Sequence, residues 1–119
     1  MFRVSRTGEA RRVTTPVTIQ VPQNGGTTKG FDVEVTYKLP PQDELDQQLE
    51  GLKEGDDSID LAKQYVETID KVADEDGQPL PADEATRDLV LNITYARAAI
   101  MAAFWLLVNG KAVKARRGN

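Results

Sequence analysis

Cysteine and histidine are both missing from this chain of 119 residues. Without cysteine there is no disulfide, no thiolate metal site and no thiol nucleophile. Without histidine the chain loses the usual general base near neutral pH and the commonest metal ligand. Serine is scarce, with only Ser5 and Ser58, and a serine triad has no base to complete it. Long apolar runs are also lacking. The most apolar stretch, AAIMAAFWLLV (98–108), is bounded by Arg97 and Lys111, and a membrane-spanning helix needs ~20 apolar residues. Residues 1–12 carry charge with no apolar run after them, so no secretory signal is visible. These absences lead to the expectation of a soluble, cytoplasmic protein that is not an enzyme and carries no cofactor or metal.

What the chain does have is charge, unevenly laid out. It holds 15 Lys and Arg against 19 Asp and Glu, for a net charge of −4. Arg3, Arg6, Arg11 and Arg12 make the start basic, and Lys111, Lys114, Arg116 and Arg117 make the end basic. Between Asp43 and Asp88 acidic residues dominate. Coating nucleic acid takes concentrated positive charge, so neither nucleic acid nor membrane is an expected partner. The basic tail, through Lys111, Lys114, Arg116 and Arg117, remains a candidate contact for an acidic partner.

The first third has the period of a sheet. Val13, Thr15, Val17, Ile19 and Val21 take every second position, as do Phe31, Val33, Val35, Tyr37 and Leu39. Such alternation puts each set on one face of a strand. The turn-rich PQNGGTTKG (22–30) between them predicts a hairpin with a long loop. Pro16 suggests an edge position or a late strand start. The remainder has the period of helices. Leu45, Leu49 and Leu52 predict a helix starting after Pro41. Asp57 or Ser58 is placed to cap a second helix running to about Asp74, with Leu61, Tyr65, Ile69 and Val72 as its buried stripe. A short third helix is expected from Asp83 to Leu91 with Leu89 inward. A fourth runs from near Thr94 to Asn109, with Gly110 as its C-terminal cap. The expected fold is α+β and mostly helical, an N-terminal β-hairpin followed by a small bundle of about four α-helices. It forms one domain over 1–119, with the hairpin at about 12–39, helices at about 41–109 and a basic tail at 111–119.

Two loops invite chemical readings. In DEDGQPLP (74–81), Asp74, Asp76 and Gly77 match the third, fifth and sixth positions of a calcium-binding EF-hand loop. The first position is then Val72, which has no carboxylate, and Pro79 and Pro81 fall where the loop must turn into its exit helix. A tight turn at Asp76-Gly77 is the simpler reading. NGGTTKG (24–30) lacks the Gly-Lys-Ser/Thr ending of a phosphate loop and joins strand to strand, so no helix N-terminus follows it.

The stretches LAKQYVETIDKVADEDGQPLP, ADEATRDLVL and ITYARAAIMAAFWLLVNGK resemble, in that order, a pattern of the tail assembly chaperones of long-tailed bacteriophages and prophages. In these proteins a helix leads into an acidic turn, a short helix and a more apolar helix rich in alanine and aromatics. VTIQVP and GFDVEVTYKLPPQDEL are similar to the family's opening hairpin and Pro- and acid-rich helix start. A Trp-x-Gly often found before the acidic turn is replaced here by TIDKVAD. The resemblance implies a non-catalytic protein of the infected cell's cytoplasm, absent from the mature virion. Its partners would be the tape measure protein, which it holds, and the tail tube protein, which polymerises around it. It also implies self-association and, in many members, a longer frameshifted form. The fourth helix is the expected client or self-association surface, through Ile100, Met101, Phe104, Trp105 and Val108. A structural virion protein, such as a head–tail joining or minor tail component, is the rival expectation, and a small host-directed regulator acting through the basic tail is a third.

Overall fold

A computed structural model describes residues 1–4, 11–41, 43–44, 57–110 and 113. Strands β1 (Arg11–Pro22) and β2 (Thr28–Leu39) are followed by helix α1 (Ile59–Tyr65) and strand β3 (Val66–Asp70). Helices α2 (Glu84–Leu91) and α3 (Thr94–Val108) complete the described elements. The three strands form one antiparallel sheet in the order β1-β2-β3. The expected bundle of about four helices is thus corrected to an α+β fold with a three-stranded sheet and three described helices. It is not mostly helical: strands of 12, 12 and 5 residues stand against helices of 7, 8 and 15. Of the helix expected after Pro41, Asp43 and Glu44 are described and helical, while Leu45, Leu49 and Leu52 lie outside the described residues.

The hairpin follows the alternation in the sequence. Val17 pairs with Val33, and Thr15 with Val35. Val17, Ile19, Val33, Val35 and Tyr37 are buried. The opposite face is polar and held by side-chain contacts: Thr14 to Thr36 at 2.7 Å, Thr18 to Asp32 at 2.6 Å and Arg12 to Glu67 at 2.7 Å. One face of the sheet therefore meets the core and the other meets water, as is common for antiparallel sheets. The strands extend to Pro22 and Thr28, so the connection is shorter than the 22–30 stretch suggests. Gln23 N donates to Thr27 O at 2.8 Å, and Gly25 and Gly26 supply the positive φ that the bend requires. Pro16 lies in β1, an edge strand, where a missing N–H can point away from the ladder.

The helix expected over 56–74 stops halfway. Ser58 does cap it, its Oγ accepting from Leu61 N at 3.3 Å. At Val66 the backbone turns extended (φ −96°, ψ 115°) while its N–H still donates to Ala62 O, and the chain enters β3 with no loop between. Val35 faces Ile69 and Tyr37 faces Val66, with an irregularity in register between Thr36 and Tyr37. That bulge puts Val66 and Ile69 on the same inward face although they are three residues apart. Three apart is also the spacing of a helix stripe. Lys71 then reverses the chain in the left-handed region (φ 64°), its N–H bonded to Asp70 Oδ1.

Asp83 caps α2 through Oδ1, which accepts from Thr86 N at 2.9 Å. Thr86, Val90 and Leu91 are buried, whereas Leu89, expected inward, is 64% exposed. Two residues, Asn92 and the extended Ile93, separate α2 from α3, and the two axes differ by 105°. Arg97 fastens this corner, donating to Leu91 O at 2.9 Å and Asp57 O at 2.7 Å. Arg87 does similar work at the end of α1, donating to Lys63 O and Val66 O while paired with Asp88 at 2.9 Å. Gly110 closes α3 with φ 73°. At the centre, Phe104 stacks on Tyr65 (5.3 Å between ring centres) and meets Trp105 edge-on (5.4 Å). The Tyr37 hydroxyl donates to Ile100 O at 2.7 Å.

Candidate protein-binding groove

Ile100, Met101, Phe104 and Trp105, expected from the sequence as a binding surface, are buried in the core. Val108 is half-buried against the same core. The side chains of Ile100, Met101, Phe104 and Trp105 fill the space between α3, the sheet and α1, while Val108 keeps part of its surface open. Lys111, Lys114, Arg116 and Arg117 lie outside the described residues.

An open apolar surface appears elsewhere, at the corner where α3 begins. A groove of about 400 Å³ runs between the sheet and the α2–α3 junction. Its floor is the loop-side end of the hairpin, with Ile19, Val21 and Val33. The short segment Lys71–Ala73 after β3 forms one wall. The other comes from Val90, Ile93, Tyr95 and Ala96. Three large side chains stay open to solvent at its rim: Phe31 at 47%, Ile93 at 41% and Tyr95 at 40%. Each has a local cause. Phe31 lies opposite Ile19 near the loop end of the hairpin. Ile93 is the extended residue of the 105° corner, and Tyr95 is in the first turn beyond it. Lys29 Nζ lies 5.2 Å from the Phe31 ring centre, close enough for a cation–π contact.

The wall segment is stiffened from behind by DEDGQPLP. Asp74 Oδ1 accepts from Asp76 N and Gln78 N, both at 2.9 Å. Leu80 N donates to Val72 O at 2.8 Å, and Ala73 bridges Pro79. Gly77 takes φ 78°. One oxygen of Asp74 is thus occupied by the loop's own backbone, which is the tight turn read from Asp76-Gly77. Among the described residues, no group of three or more Asp or Glu side chains is gathered so as to hold a metal ion. DEDGQPLP is a hairpin-like support joining β3 to α2, where the expected second and third helices would have made it a link between helices.

Two buried tyrosines differ in their surroundings. Burial pushes the Tyr37 hydroxyl far above its ordinary range, and its proton is committed to Ile100 O. Tyr65 is pushed up too, by burial first and then by the Glu44 carboxylate. Its hydroxyl has no hydrogen-bond partner among the described residues. Neither faces the groove.

Sequence reasoning missed the groove because its residues come from four separated segments. The available signal was an excess of apolar positions, Phe31 and Ile93 among them, over what a small core covers. No known protein family, curated protein or solved structure matches this chain.

Proposed function

We propose that this protein is a non-catalytic tail assembly chaperone of a long-tailed bacteriophage or prophage. It holds the tape measure protein until tail tube subunits polymerise around it. The observation that carries the reading is the groove, where Phe31, Ile93 and Tyr95 remain open to solvent side by side. Contiguous exposed apolar surface marks a place where another molecule docks. The sequence resemblance supplies the kind of molecule: a long, helix-rich client whose apolar faces need cover before the tube encloses them. The groove supplies that cover, and the acidic surface around it keeps the complex dispersed. The tube must displace the chaperone, so each contact is weak and holding depends on several copies acting together.

Two measurements test this. The protein co-purifies with the tape measure protein from infected or induced cells, and mass spectrometry of purified virions does not find it. Stoichiometric copies in virions would instead indicate a head–tail joining or minor tail component. Failure to co-purify with the tape measure protein would remove the chaperone reading.

A further inference from the structure

We infer that the groove takes a single amphipathic helix carrying basic residues beside its apolar stripe; this rests on the protein-binding reading above and names the chemistry of the partner. The shape argument comes first. Strand addition needs free backbone donors and acceptors. Here the wall has little backbone to offer: Lys71 N is held by Asp70, Val72 O accepts from Leu80, and Ala73 bridges Pro79. The other wall is helical or at a helix start. The groove therefore presents side chains only, and the element that anchors by side chains at i, i+3, i+4 and i+7 is a helix.

Charge decides what kind. Both walls come from residues 57–96, which contain ten Asp and Glu against three Lys and Arg. Two of those three cations are already paired: Lys71 with Glu34 at 3.0 Å and Arg87 with Asp88 at 2.9 Å. Asp74, Glu75 and Asp76 follow directly on the 71–73 wall. Among the described residues, Asp70, Asp74, Glu75 and Asp76 make no ion pair. Lys29, over Phe31, is a cation at the hairpin end and does not balance them. A field of this sign draws in a basic helix and repels an acidic one. It also argues against a second copy as occupant. Among the described helices, α1 and α2 are acidic in their first turns, and α3 is committed to the core.

The test uses the full chain and two synthetic helical peptides of about 18 residues. Both have leucine at i, i+3, i+4 and i+7; one has lysine at the flanking positions and the other glutamate. By fluorescence anisotropy the lysine peptide binds, the glutamate peptide binds at least about tenfold more weakly, and the difference shrinks as salt rises from about 0.05 M to about 0.5 M. Ile93→Asp weakens the lysine peptide by about tenfold or more, with Tyr95→Glu as a second variant should the first melt early. Equal binding of the two peptides, or of wild type and both variants, overturns the inference. So does an oligomer, seen by light scattering, that Ile93→Asp dissolves, because the occupant would then be another copy. If neither peptide binds while the tape measure protein still co-purifies, the groove assignment falls and the chaperone reading stands. Selective peptide binding by a protein found in virions gives the reverse.

Discussion

Helix α3 has two ends built from similar side chains and put to opposite uses. From Ile100 to Trp105 the apolar side chains are packed on several sides, with Phe104 against Tyr37, Tyr65 and Trp105. At its beginning, Tyr95 and nearby Ile93 stand at the rim of an open groove, each about 40% exposed. Hydrophobicity alone does not separate a core position from a docking position. What separates them here is the 105° corner between α2 and α3, which turns one end of α3 onto the sheet and leaves the other at the margin.

The largest expected effect is at the packed end. Phe104→Ala removes a ring shared by three aromatic neighbours and costs about 3–5 kcal/mol of stability in urea unfolding. A loss below about 1 kcal/mol would mean that this end is as open as the groove. Next comes alkaline pH. In the unfolded chain tyrosine titrates near 10, whereas folded Tyr37 keeps its proton well above that. Above pH 10 the unfolded state binds fewer protons than the native state, so stability falls as pH rises, by about 1.4 kcal/mol per pH unit for this group. Below pH 10 the contribution is flat. Tyr37→Phe should reduce the alkaline slope in denaturant titrations.

At neutral pH the two tyrosines should part. Tyr37→Phe loses the bond to Ile100 O and costs about 1 kcal/mol, while Tyr65→Phe, which removes a hydroxyl with no partner among the described residues, leaves stability unchanged or slightly higher. Equal costs would show that the Tyr65 hydroxyl finds a partner in solution. Lys71→Gly relieves a left-handed backbone at the loss of an exposed ion pair, and should raise stability by about 0.5 kcal/mol. The smallest effect belongs to the open end. Tyr95→Ser changes the melting midpoint by the equivalent of less than about 0.5 kcal/mol while weakening partner binding. Strong destabilisation would make Tyr95 a core residue.

The sequence made some of this legible. The alternation from Val13 to Val21 and from Phe31 to Leu39 is the hairpin, and Ser58, Asp83 and Gly110 mark helix ends that the structure keeps. The sheet's third strand was hidden by its own irregularity. The bulge places Val66 and Ile69 inward at a spacing of three, which continues the Leu61–Tyr65 stripe as a helix would. The better guide was composition, since Val66, Thr68 and Ile69 are β-branched residues that favour strands. Leu89 was misplaced because a helix of 8 residues has few positions from which to judge its inward face. The place of the groove was not legible, although the surplus of apolar positions was. Ile19, Phe31, Val72 and Ile93 are far apart in sequence, and only the sheet order and the helix corner bring them to one place.

Pro16 has a consequence for how copies of this protein meet. The outer side of β1, with 12 residues and no strand beside it among the described residues, is the kind of edge from which fibrils grow copy by copy. Pro16 near the middle of that edge and Pro22 at its end each lack the donor that an incoming strand would need. Pairing of further copies along this edge is therefore interrupted at two positions, which makes β1 a poorer template for a continuous ladder than its length suggests.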